Sequence, residues 1–234
     1  MDRLRTQPGV YGLVASDPTI SRLFTAVSAV KPAKALAAIN TSRARAREHV
    51  WGRAGKNSPL HGVTAGNPVV IDLDASLLNS HSEKEDARPT WKKGFGFHPL
   101  ISFLDHGTEG TGEPLAILLR PGNAGSNTVT DHIQMVKDSL KQLPKEHRSG
   151  RKVMIRTDSA GGTHGFLEWP SAKHRNLGYS VGFPIHGAVE AVLPLIPKGG
   201  GAGHTTATGS NGTVPGSPRS RACWTCPPGR PGCG

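Results

Sequence analysis

Three aspartates stand at the ends of two apolar, β-branched stretches, and their chemistry is the most informative feature of the chain. In Val69-Val70-Ile71-Asp72-Leu73-Asp74-Ala75-Ser76-Leu77, Asp72 and Asp74 lie two residues apart and share one face of an extended strand. In Lys152-Val153-Met154-Ile155-Arg156-Thr157-Asp158, a third carboxylate closes the run. A carboxylate at the edge of an apolar core needs a cation or hydrogen-bond donors. If the two stretches are parallel neighbours in one sheet, Asp74 and Asp158 meet at its carboxyl-terminal edge, where open α/β sheets bind ligands. Two carboxylates there repel unless a divalent cation lies between them, as in metal-assisted phosphoryl transfer. Oxygen donors without a nearby Cys or His pair select Mg²⁺ or Mn²⁺. Asp158 has a plainer reading, because Asp before Ser-Ala-Gly-Gly can fold a turn on its own side chain. Taken alone that reading is preferred. Taken with Asp74 and the order of elements, the catalytic position is.

The elements needed to bring these acids together can be read along the chain. Ser16-Asp17-Pro18 starts a helix, and Ile20, Leu23, Phe24, Val27 and Val30 continue it at helical spacing. Pro32 starts a second helix, which carries the basic run Arg43, Arg45, Arg47 and Arg53. Such a run is either a solvated face or a DNA contact. Gly52 to Asn67 reads as a linker. The acidic strand at 69–75, the apolar run Phe95 to Leu104 and Pro114 to Leu119 are expected to form a three-strand antiparallel meander. Val129, Ile133, Val136, Leu140 and Leu143 mark a helix. It supplies the crossover that a parallel return to strand 152–158 requires. A shorter helix with Pro170 inside it and a strand from Tyr179 to Ile185 follow. The expected class is α/β with a mixed sheet.

Composition bounds the rest. The formal charge of +11 favours a polyanionic partner. Residues 1–60 hold ten Lys/Arg against three Asp/Glu, residues 61–198 fifteen against fourteen, and residues 199–234 three against none, so the surplus sits at the ends. Three regions are expected: a basic helical DNA-binding segment (1–60), a catalytic core (61–198) and a Gly/Pro-rich disordered tail (199–234). No apolar run has the length of a membrane span and no secretory signal is visible, which points to the cytoplasm and no membrane partner. All three cysteines lie in the tail. Cys223-Trp224-Thr225-Cys226 has zinc-ligand spacing but no matching second pair. His81, His98, His164 and His186 form no metal motif. Lys92 and Lys93 read equally as solvated or as phosphate contacts. Trp51 and Trp91 read as packing residues.

The ordered blocks Ile71-Asp72-Leu73-Asp74-Ala75-Ser76, His81-Ser82-Glu83-Lys84-Glu85, Trp91-Lys92-Lys93-Gly94-Phe95-Gly96-Phe97-His98-Pro99, Arg120-Pro121-Gly122-Asn123 and Ile155-Arg156-Thr157-Asp158-Ser159-Ala160 resemble those of bacterial insertion-sequence transposases with a ribonuclease-H-like, acidic-triad (DDE) catalytic domain. The resemblance runs from about Leu4 to about Ile196. It implies metal-dependent cleavage and strand transfer, with transposon ends and target DNA as double-stranded DNA partners, a second copy or an intact transposase as protein partner, and a place at the bacterial nucleoid. Asp74 falls at the first catalytic aspartate, with Asp72 as its alternative metal ligand, and Asp158 at the second. The family's third acid is a glutamate on a later helix. Glu190 is the only acid after Glu168 and comes early for that role. The expectation is therefore a C-terminally truncated, inactive transposase whose tail arises from a frameshift. A non-catalytic DNA-binding remnant and a stand-alone metal nuclease are the alternatives.

Overall fold

The computed structural model describes residues 2–29, 31–80, 84–107, 110, 112–184, 186–195 and 223–224. The His81-Ser82-Glu83 segment and nearly all of the expected tail lie outside the described residues, as do Cys226 and Cys233.

The chain divides into two units, residues 1–47 and 48–234. In the first, two short helices, α1 (Asp2–Arg5) and α2 (Pro8–Tyr11), precede α3 (Asp17–Ala29) and the opening of α4 (Pro32–Ala54). The Ser16 carbonyl accepts the first helical bond of α3 from the Ile20 N–H at 3.0 Å. Pro18 occupies an early position where its missing N–H costs nothing. Helix α4 continues through Gly52 to Ala54, so the linker begins later than the composition suggested.

The second unit is built on a mixed sheet. Strands β1 (Val69–Ala75), β2 (Leu78–Asn79), β3 (Arg88–Pro89), β4 (Phe95–Phe97), β5 (Leu100–Leu104) and β6 (Glu113–Leu118) lead to helix α5 (Val129–Lys141). Then come β7 (Val153–Thr157), helix α6 (His164–Ser171), β8 (Gly178–Gly182), helix α7 (Gly187–Val192) and the two-residue β9 (Cys223–Trp224). The main sheet has the order β6-β5-β1-β7-β8-β9. Strand β1 runs antiparallel to β5 and parallel to β7. The 129–141 helix makes the crossover that this parallel pairing demands. The apolar run 95–104 is not one strand, as its composition suggested. Phe95–Phe97 joins β2 and β3 in a separate three-strand sheet, and only Leu100–Leu104 enters the main one. Pro99 lies between the two and offers no N–H to either ladder.

Alternation in β1 fixes which face is core. Val69, Ile71 and Leu73 are buried, whereas Val70 and Asp72 are half-buried and Asp74 is exposed. The buried set packs with Leu100, Leu104, Leu115, Val153 and Ile155, and with Met135, Val136 and Leu140 of α5 and Phe166 of α6. Each fully buried aliphatic side chain contributes about 1.5–3 kcal/mol. Asp131 in the first turn of α5 and Lys141 in its last complement the helix dipole. The buried stripe of α5 includes His132, which the apolar spacing had passed over. Its Nδ1 donates to the Thr128 carbonyl at 2.9 Å and its ring packs at 5.4 Å from that of Phe166.

Candidate active site

Parallel register brings two strand ends side by side. The last paired residues of β1 and β7 are Leu73 and Thr157. Asp74 and Asp158 are the next residue on each, and both are exposed. Each carboxylate is steadied by a nearby backbone donor. Asp74 Oδ1 accepts from the Ala75 N–H at 2.9 Å, and Asp158 Oδ1 accepts from the Ala160 N–H, also at 2.9 Å. Asp158 thereby caps the short 3₁₀ turn Ser159–Gly161. The turn-forming role is real, and it engages only one oxygen. Gly161 makes the turn possible, since a Cβ there would lie 2.3 Å from Thr157 Cγ2.

Asp72 has a different environment. Arg156, its parallel partner in register, grips it with Nε and Nη2, the latter at 2.7 Å. The same Nη2 reaches Asp105 Oδ2 at 2.7 Å. One guanidinium thus ties β1, β7 and the turn after β5 together in the fork geometry that suits carboxylates. Hydrogen bonding to Asp72, assisted by Asp105 and opposed by partial burial, holds Arg156 in its charged form even more firmly than usual.

Beyond Ala75 the chain borders a cleft of about 500 Å³. Ala75, Ser76, Leu77 and Asn79 form one side, and Thr90 to Gly94 with His98 form the other. Lys92 and Lys93 both line it, and the Lys92 ammonium lies 4.9 Å from the centre of the Trp91 ring. Trp91 is 70% exposed, which overturns its reading as a packing residue. Trp51 does pack: it is buried, and its indole N–H donates to Glu113 Oε2 at 3.2 Å.

The basic run of α4 does not present one uniform face. Arg45 and Arg53 are exposed, Arg43 is half-buried and Arg47 is buried. Glu190 lies in the first turn of α7 and is exposed. Among the described residues, no group of three His, Cys, Asp or Glu stands close enough to hold a metal ion.

The family model described as Transposase DDE domain group 1 matches residues 1–198, most of the chain. The chain belongs to the DDE transposases. No curated protein matches it. The mixed sheet, with its helical crossover and acidic strand ends, is consistent with the ribonuclease-H-like architecture that the resemblance implied. The family generally uses divalent metal ions. Asp74 and Asp158 of this transposase offer the oxygen chemistry suited to such an ion, from adjacent strands and with no competing cation bonded to either among the described residues. No helix among the described residues is long and apolar enough to cross a membrane.

Proposed function

We propose that the chain carries the first two carboxylates of a transposase active site, Asp74 and Asp158, and that acting alone it binds DNA without cutting it. The observation that carries this reading is the register: the two acids directly follow paired residues on adjacent parallel strands. Asp72 is assigned a structural role, because its two oxygens are already engaged by Arg156. A bound Mg²⁺ or Mn²⁺ would draw charge from a scissile phosphate and lower the pKa of an attacking water. Asp74 and Asp158 would hold it there. Lys92 and Lys93 would contact phosphates next to the acids, and Arg45 and Arg53 would grip the duplex of transposon ends or target DNA, with Arg43 and Arg47 in support. Two carboxylates alone would leave such an ion under-ligated and the developing charge poorly held. Among the described residues no third acid joins the pair, so catalysis would require one brought to it, for example by an intact transposase. The same shortage favours the chain's acting as a competitor for transposon ends.

Cleavage of a transposon-end duplex in Mg²⁺ or Mn²⁺ tests this. The wild-type chain is expected to bind the duplex and release no nicked product, and Asp74→Ala and Asp158→Ala are expected to bind equally well. Cleavage by the wild type that disappears in either variant would establish a self-sufficient nuclease and end the non-cutting reading.

A further inference from the structure

The cleft beside β1 joins three features that the two acids do not explain. It opens where the strand carrying Asp74 ends, its wall includes two lysines, and it bears a large aromatic surface left in water. Leaving an indole 70% exposed forgoes the burial that usually accompanies tryptophan. The residue is also held on a firm support. The Thr90 N–H donates to the Gly94 carbonyl at 2.8 Å, the Lys93 N–H to the Thr90 carbonyl at 3.0 Å, and the Gly94 N–H to Thr90 Oγ1 at 3.0 Å. Thr90 itself is buried. This tight turn fixes the backbone that displays Trp91 and Lys92.

We propose that this cleft receives an unpaired nucleotide of a DNA strand, with Trp91 stacking on the base and Lys92 and Lys93 neutralising its phosphates. The inference rests on the transposase reading above and names the form of DNA that its site takes up. An aromatic face combined with cations is the chemistry of single-strand recognition, because every base offers a π-face and every linkage a negative charge. Bases inside a duplex have their faces covered by neighbours, so the indole selects a frayed or extruded nucleotide. The strand captured there lies against Ala75, the residue following Asp74. The cleft therefore presents an unpaired strand end next to the acidic edge.

The test is a fluorescence titration of the full chain in EDTA, first with a short oligothymidylate and then with a blunt duplex of equal length. The other three tryptophans, Trp51, Trp169 and Trp224, are present in both proteins, so the difference between wild type and a Trp91 variant isolates the indole in the cleft. The oligothymidylate is expected to quench the wild-type emission. Trp91→Leu is expected to lose that quenching and bind the single strand about tenfold more weakly, with duplex affinity unchanged, and Trp91→Tyr to recover most of the binding. Lys92→Gln/Lys93→Gln is expected to flatten the salt dependence of single-strand binding by about 0.7 per charge removed. Equal single-strand affinity in wild type and Trp91→Leu, or an equal loss for both DNA forms, would overturn the proposal. Duplex binding with no response at Trp91 would do so while leaving the transposase reading intact. Failure to bind either form would remove both.

Discussion

Arg120→Met is expected to lower the unfolding free energy by about 3 kcal/mol. Arg120 is only 4% exposed. Its Nε donates to the His98 carbonyl at 2.9 Å, and its Nη1 donates to the Gly125 carbonyl at 3.0 Å and to Asp131 Oδ2 at 3.1 Å. These bonds fasten the link between β4 and β5, and the loop before α5, onto one side chain. Methionine would keep much of the volume and supply no donor, leaving the His98 carbonyl unmatched at about 1–3 kcal/mol and the Gly125 carbonyl with only the Thr128 hydroxyl at 3.2 Å. The cut falls at the lower end of the range for a broken buried pair because Asp131 is 27% exposed and can turn to water. The midpoint of thermal unfolding should drop by roughly 6–12 °C for a domain of this size. Asp131→Asn should cost less, because both carbonyl bonds persist. A drop for Arg120→Met no larger than that for Asp131→Asn would show that the carbonyl bonds carry little.

Gly122→Ala is expected to cost about 2–3 kcal/mol, from crowding rather than from a lost bond. A Cβ at Gly122 would lie 2.2 Å from the Arg88 carbonyl oxygen and 2.7 Å from that of Gly96. Both are backbone atoms of the small sheet and cannot rotate away, so β3 and β4 must shift. Gly125→Ala is the matched control. Its Cβ would meet the Thr128 hydroxyl at 3.3 Å, a side chain that can adjust. Urea unfolding of the two variants should separate them clearly. A Gly122→Ala protein as stable as Gly125→Ala would mean that the small sheet tolerates displacement. Together, Arg120 and Gly122 give a structural reason for the Arg120-Pro121-Gly122-Asn123 block: it fastens the sheet that walls the cleft.

Much of the architecture was legible because it depends on local pattern. The apolar, β-branched runs at 69–75 and 153–157 marked the strands, and the intervening helical stretch is long enough for the crossover that a parallel return requires. That Asp74 and Asp158 end neighbouring strands required in addition the β1–β7 pairing, which the sheet supplies. The fate of Asp72 was not legible, since its partner Arg156 lies 84 residues away and only the register places them opposite each other. The division of 95–104 between two sheets was hidden for a similar reason. Apolar composition is the same on both sides of Pro99, while pairing is decided by distant partners: Gly96 faces Asn79 and Arg88, and Leu100 faces Ala75 and Leu118. Burial of His132 depends on a hydrogen bond that hydrophobic periodicity does not record. Trp91 was misread because its type suggests burial, whereas a tight polar turn displays it in water.

Asp74 and Asp158, rather than Asp72, are proposed to hold a divalent ion at the edge of the sheet. Mn²⁺ binding to the full chain, followed by electron paramagnetic resonance, addresses this assignment most directly. Weak binding is expected, lost in Asp74→Asn and in Asp158→Asn and kept in Asp72→Asn, where Arg156 retains Asp105. Mn²⁺ binding that survives both Asp74→Asn and Asp158→Asn but disappears in Asp72→Asn would contradict it.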